Sequence, residues 1–134
     1  AEGATKFVEV QVQGGPDSAT CLAVAKAIAE SPLVKTALSA SDANWGRIVM
    51  AIGKADGQFA GKVDAGKVDI RIGDVCLMKN GSKHPDYREE LGAAAMQPED
   101  IVIAVNLNQG SHTEKVWTSD LSHDYVTINA EYRT

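Results

Sequence analysis

Between Pro98 and the turn-like Gln109-Gly110-Ser111, the chain runs Ile101–Leu107 with almost no polar side chain. That run constrains the fold more than any other. It is far too short to cross a bilayer. A strand this apolar needs neighbours on both of its edges, so it reads as the centre of a sheet. The rest of the chain has to be arranged around it.

Other segments supply the neighbours. Val8, Val10 and Val12 alternate with Glu9, Gln11 and Gln13, the period of a half-buried strand. Val68, Ile70 and Ile72 alternate with Asp69 and Arg71. Gly73-Asp74 then marks a tight turn into a partner strand, Val75–Lys79. Asn80-Gly81 is a second turn signal, followed by a segment too polar to read as a strand. Two more strands are expected, over Lys115–Leu121 and Asp124–Tyr132. In the second, Val126, Ile128 and Ala130 face one way and Tyr125, Thr127, Asn129 and Glu131 the other.

Helices fill the gaps. After the Gly14-Gly15-Pro16 break, Asp17 or Ser18 can cap a helix with Cys21, Leu22, Ala25, Ile28 and Ala29 on one face. Ser31-Pro32 starts a short helix to Leu38, with Ser as cap and Pro in the first turn. Ser41-Asp42 opens a third, with Trp45, Ile48, Val49 and Ile52 at core spacing. The glycine-punctuated, charged run Asp56–Lys67 reads as a surface loop. A fourth helix passes through Glu90, Leu91 and Ala94 until Pro98 stops it. The connections among the closing strands are too short for crossovers, so those strands run antiparallel. The class is α+β, a mixed, largely antiparallel sheet with helices packed on one face, and residues 1–134 suit a single domain.

Composition excludes several roles. The chain has 13 Lys+Arg against 18 Asp+Glu, a net charge of −5, and no basic run, so no nucleic acid or anionic membrane is expected as a partner. Cys21 and Cys76 lack metal-type spacing, and His84, His112 and His123 are scattered, so no metal and no disulfide framework is expected. Two unpaired cysteines fit a reducing cytosol, and both read as small core residues. Neither Gly53-Lys54 nor Gly61-Lys62 has the spacing of a phosphate loop, so no nucleotide cofactor is expected. Asp42-Ala43-Asn44-Trp45-Gly46-Arg47 admits two readings. It is a capped helix start in which Arg47 finds a carboxylate, or a site where Asn44 and Arg47 meet a substrate carboxylate.

The ends carry the strongest signal. The chain opens on Glu2-Gly3-Ala4-Thr5-Lys6 and closes on Ile128-Asn129-Ala130-Glu131-Tyr132-Arg133-Thr134, structure-like at both ends, as expected for a piece of something longer. Those two stretches resemble the ornithine acetyltransferase (glutamate N-acetyltransferase) family of arginine biosynthesis. So do Ser31–Ala37, Asp42–Arg47, Val68-Asp69-Ile70 with Ile72-Gly73-Asp74-Val75, and Asp124-Tyr125-Val126, all in family order along the whole chain. The one departure at the start is Ala1, where the family pattern has glycine.

The resemblance implies a fold like the N-terminal nucleophile hydrolases. A precursor cuts itself before a threonine into α and β chains. The new terminal threonine takes an acetyl group from N-acetylornithine and passes it to glutamate; some members also accept acetyl-CoA. This chain corresponds to the C-terminal part of the β chain. The nucleophile, its cleavage motif and its oxyanion hole would lie upstream, so no catalytic residue is expected here and the isolated piece should be inactive. Thr5 is not terminal and lacks the free amine such a nucleophile uses as base.

By family pattern Glu2, Asn129 and Thr134 contact the amino-acid substrate. Glu2 can pair with an ammonium or handle a proton as the amine leaves, and Asn129 with the Thr134 hydroxyl can orient a carboxylate or amide. These residues share one pocket only if the two ends of the chain converge. The implied partners are the α chain and the N-terminal part of the β chain, in a homo-oligomer of heterodimers in the cytoplasm. As part of such an assembly, the domain should expose apolar surface that the rest covers. The alternatives are a non-catalytic α+β interaction module and a fragment of an N-terminal nucleophile aminopeptidase.

Overall fold

A computed structural model describes residues 6–58 and 62–120. In chain order its elements are β1 (Phe7–Gly15), α1 (Ser18–Glu30), α2 (Pro32–Ser39), α3 (Trp45–Gln58), a 3-10 turn at Ala65–Lys67, β2 (Asp69–Ile72), β3 (Val75–Lys79), β4 (Ser82–Lys83), α4 (Glu89–Ala95), β5 (Asp100–Asn106) and β6 (His112–Ser119). The strands form one sheet in the order β4-β3-β2-β5-β1-β6. Among the described strands only the β1–β5 pair is parallel; the other four pairings are antiparallel. This is the expected α+β class. The strand expected over Asp124–Tyr132 lies outside the described residues.

The apolar run is the central strand β5, between β2 and β1. Its Ile101, Ile103 and Val105 point into the core with Val8, Val10 and Val12 of β1 and Ile70 and Ile72 of β2. The helices cover this face. Helix α1 lies on β1 and β6, and α3 packs on α1, placing Ile48, Ala51, Ile52 and Ala55 in the same core. Each fully buried Val or Ile contributes about 1.5–3 kcal/mol, so this layer is the main source of stability. On the other face Phe7 is 50% exposed, Val102 39% and Trp117 68%. Val102 and Trp117 lie on either side of Glu9 in register, on the same face as Phe7.

Strands β5 and β6 run antiparallel, as the short connection between them requires, yet they do not pair: β1 lies between them. The connection crosses the end of β1, and that end is built for the crossing. Gln13 O accepts from Leu107 N–H at 2.9 Å and Gly14 O from Gln109 N–H at 2.7 Å. Gly14 has φ +72°, and a Cβ there would overlap the Asn106 side chain and the Asn108 nitrogen. Gly110 sits against the Gly15 carbonyl with no room for a side chain. The Gly14-Gly15 pair is thus a crossing point as well as a strand end.

Other local departures have physical causes. Asn80 and Gly81 both take positive φ, 48° and 77°, the geometry of a tight hairpin, so the polar Ser82-Lys83 pairs with β3 after all. Ser41 does not open α3. With φ 52° it closes α2: its N–H donates to Leu38 O and Asp42 N–H to Ala37 O. Helix α3 therefore starts later, at Trp45, and runs on to Gln58, into the stretch expected as loop. Strand β6 starts at His112, ahead of the expected Lys115, because the long β1 offers it partners as far as Gly15. Leu22 is only half buried, and Cys76 likewise, short of the core position expected of it.

Candidate functional site

Glu2, Asn129 and Thr134 all lie outside the described residues, and with them the expected closeness of Glu2 to Asn129 or Thr134. The described residues nearest to them in sequence are Lys6 and Asp120. These two are neighbours in space. Antiparallel pairing of β1 with β6 sets Phe7 opposite Ser119, so the start of β1 and the end of β6 share one corner of the sheet.

Asp120 is completely buried. Its Oδ1 accepts from the Lys6 backbone N–H at 3.0 Å, and its Oδ2 from the Ser39 hydroxyl at 2.9 Å. Its own N–H donates to Lys6 O at 3.3 Å. One carboxylate thus joins the start of β1, the end of β6 and the last turn of α2. Lys6 is buried too, and its ammonium donates to Met96 O at 2.6 Å and Gln97 O at 3.4 Å. Those carbonyls close the C-terminal end of α4, where backbone partial charge is negative and a cation is favoured. Next in sequence, Phe7 N–H donates to Glu99 O at 2.8 Å, holding β1 beside the start of β5. In the sequence Lys6 stands out only as part of a motif, and Ser39 and Asp120 do not stand out at all. Their partners lie 81 and 114 residues away, and no local pattern reports such a tie.

The Asp42–Arg47 hexapeptide does structural work. Asn44, not Asp42, caps α3: its Oδ1 accepts from Arg47 N–H at 3.1 Å, while its Nδ2 donates to Asp42 Oδ2 at 3.1 Å. The Arg47 guanidinium finds carbonyl and hydroxyl, not carboxylate. It donates to Leu33 O at 2.8 Å and Thr36 Oγ1 at 3.3 Å, tying α3 to α2. Trp45 is half buried against the core.

Other candidates offer contact surface. A groove of about 840 Å³ runs between α1 and α3, floored by Ala23, Ala27 and Ala51 and rimmed by Lys26, Met50 and Lys54. Cys21 is fully buried and its thiol points at His112 O, 3.3 Å away. Burial pushes that thiol up, which makes it an inert core residue. Among the described residues no three His, Cys, Asp or Glu side chains are grouped to hold a metal ion. None of the described helices is long and apolar enough to cross a membrane.

Comparison with known proteins agrees with the resemblance. The model of the ArgJ family matches residues 1–134. Arginine biosynthesis bifunctional protein ArgJ of Pseudomonas fluorescens is 50% identical over 133 residues, 99% of this chain, and that of Pseudomonas syringae pv. tomato is also 50% identical over the same share. The protein of the same name from Ruegeria pomeroyi is 47% identical. The chain spans only 32% of the length of these relatives. The crystal structure of ArgJ from Bacillus halodurans superposes with a TM-score of 0.88 at 42% identity, over 98% of this chain and 60% of that one.

Proposed function

The chain belongs to the ArgJ family, and from that premise we propose that it forms the C-terminal part of the β chain of an acyltransferase working in arginine biosynthesis in the cytoplasm. In this reading an upstream threonine, exposed by self-cleavage of the precursor, attacks the acetyl carbonyl of N-acetylornithine. The C–N bond breaks, ornithine leaves as its amine after gaining a proton, and the threonine holds the acetyl group as an ester. The glutamate amine then attacks the ester and frees the threonine. Glu2 pairs with the substrate ammonium or carries the proton to the leaving amine, and Asn129 and Thr134 orient the amino-acid carboxylate.

One observation of this molecule carries the reading beyond the family match. Segments 1–5 and 121–134, which hold all three substrate residues, are joined to the rest of the chain at one corner, through the Lys6–Asp120 pair. The open sheet face supports the proposed partners. Phe7, Val102 and Trp117 suit coverage by the remaining two-thirds of the precursor, which includes the α chain.

The test uses the complete gene product and follows transfer of labelled acetyl from N-acetylornithine to glutamate. Transfer is expected, and Glu2→Ala and Asn129→Ala should each lower it without lowering the melting temperature. A complete protein that transfers no acetyl group would overturn the reading. So would full activity in both variants. The 134-residue piece alone should be inactive, since its nucleophile lies upstream.

A further inference from the structure

The helix layer carries two exposed surfaces that complement each other. We propose that two copies of this chain meet through that layer, with α4 of each seated in the α1–α3 groove of the other. The contact is independent of the acetyl transfer proposed above.

Exposed apolar side chains mark the two surfaces. Among the described residues six large ones are exposed, and they divide between the two sides of the sheet. Phe7, Val102 and Trp117 belong to the open sheet face. The other three belong to the helices. Leu33, 50% exposed, and Met50, 66%, line the groove, and Leu91, 46%, stands on α4. Coverage of the sheet face leaves these three in water, and apolar side chains grouped in this way mark a contact surface.

Charge selects what meets what. The groove carries Lys26, Lys54 and Glu30, two cations and one anion. Helix α4 starts Arg88-Glu89-Glu90, two anions and one cation. All six side chains are exposed, and none has an ion-pair partner among the described residues. Arg47, also at the groove, spends its guanidinium on Leu33 O and Thr36 Oγ1. With α4 in the groove, the lysines meet Glu89 and Glu90, Glu30 meets Arg88, and Leu91 reaches Met50 and Leu33. Groove against groove would set lysine against lysine, and α4 against α4 would set glutamate against glutamate. Like charges facing across an interface oppose such pairings.

The topology lets the contact close. Helix α4 packs on β3 and α1 on β1 and β6, strands three to four places apart in the sheet. At about 4.8 Å per place, α4 and α1 stand about 14–19 Å apart on the same side of the sheet. A two-fold axis lying in the interface, midway between α4 and the groove, brings each α4 over the other copy's groove. The contact is then made twice in one closed pair, which doubles the area buried.

The test is made in the complete gene product by analytical ultracentrifugation. Lys26→Glu with Lys54→Glu should weaken self-association about a hundredfold, and so should Glu89→Lys with Glu90→Lys. All four substitutions together restore opposite signs and should bring association back. A covalent test needs no change of charge. Met50→Cys and Leu91→Cys, co-expressed on separate copies, should give a disulfide-linked dimer on mild oxidation, and neither variant alone should do so. That pair decides if reversal at the start of α4 unfolds the helix. The inference fails if the parent sediments as a single copy at high concentration, or if reversal at the groove leaves its mass unchanged. It fails if Met50→Cys crosslinks with itself, which would set groove against groove. Reversal that instead releases the upstream part of the same precursor would put that part in the groove and overturn the inference as well. A parent protein without acetyl transfer would bear only on the function proposed above.

Discussion

Two buried aspartates stand at opposite ends of this sheet and do different work. Asp69 begins β2, opposite Asn106 at the far end of β5, whereas Asp120 lies beyond the end of β6, near the start of β5. Asp69 is 8% exposed and Asp120 not at all. Two of Asp69's partners are close in sequence: Asn80 N–H at 2.8 Å and Lys79 Nζ at 3.1 Å, both in the adjoining hairpin. Asn108 Nδ2, at 3.1 Å, brings in the loop that crosses β1. The Asp120 partners named above come from α2 and β1 instead. Asp69 completes a turn, and Asp120 completes a topology. The same side chain serves both because a carboxylate has two oxygens and accepts from whatever the fold brings near.

The comparison makes its largest prediction at Asp120. Asp120→Ala leaves the buried Lys6 N–H and the half-buried Ser39 hydroxyl without their acceptor. At about 1–3 kcal/mol for the buried N–H and less for the half-buried hydroxyl, the loss should be about 2–4 kcal/mol. Asp69→Ala, at a wetter site, should cost about 1–2 kcal/mol. Urea unfolding of the complete protein measures both. Equal losses would erase the distinction between the two ends.

A second prediction concerns the crossing near the Asp69 end. Gly14→Ala forces an L side chain to φ +72° and into the Asn106 side chain. The left-handed conformation alone costs roughly 1–2 kcal/mol, and the overlap adds to it. Gly53→Ala is the matched control. Gly53 lies within α3 with open space around its Cβ position, so alanine there should stabilise by about 0.5–1 kcal/mol. Thermal melting should move in opposite directions for the two variants. Movement in the same direction would mean that the crossing tolerates a side chain.

These two ends also show what a sequence reveals. Strands β2 and β3 near Asp69 were legible, because Val68, Ile70 and Ile72 alternate and Gly73-Asp74 is a local turn signal, whereas β4 was not, its Ser82-Lys83 being too polar to mark a strand. Helices α1 and α2 were legible too, with Asp17 and Ser31 as caps and Pro32 at the start of α2. The apolar Ile101–Leu107 run gave away the central strand. What stayed hidden was pairing. No local pattern says that β1 slips between β5 and β6, because the crossing depends on backbone contacts between Gly14 and residues about 95 positions later. For the same reason the Asp120 tie was invisible, while the substrate residues entered through family resemblance and not through chemistry readable around them. The hexapeptide misled in a smaller way. Asp42 and Asn44 are both good caps, and the left-handed turn at Ser41 decided between them.

Acid offers a third way to separate the ends. Burial pushes the Asp69 carboxyl up, but the Asn80 N–H, the Asn108 amide and the Lys79 ammonium outweigh it and hold the carboxyl below the ordinary range. A carboxyl depressed in the folded state contributes stability above its unfolded value, near 3.9, and loses it as pH falls through the folded value. The hairpin should therefore loosen below about pH 4. The protection factor of the Asn80 amide in hydrogen exchange, compared at pH 5 and pH 3, should fall, and Asp69→Asn should flatten that response. A protection factor indifferent to pH would mean that the turn is held without the charge.

The smallest effect is expected at a third, exposed aspartate, and it tests whether burial or pairing sets the ranking. Asp17 caps α1, accepting from Thr20 N–H at 2.7 Å, and its carboxylate also pairs with Lys62 at 3.2 Å. The Thr20 backbone N–H leads in lowering its pKa to about 2, with Lys62 assisting. Both side chains of the pair are well exposed, 52% for Lys62 and 39% for Asp17, so water and salt screen the attraction. Lys62→Ala should shift the melting temperature by less than about 2 °C, with no added effect of salt. Asp17→Ala, which removes the cap as well, should lower it more, and Asp17→Asn, which keeps a capping oxygen, should recover most of the difference. If Lys62→Ala cost as much as Asp17→Ala, the ion pair and not the cap would hold the start of α1. Charge pairing would then have to be weighed above burial at Asp69 too, where Lys79 plays the corresponding part.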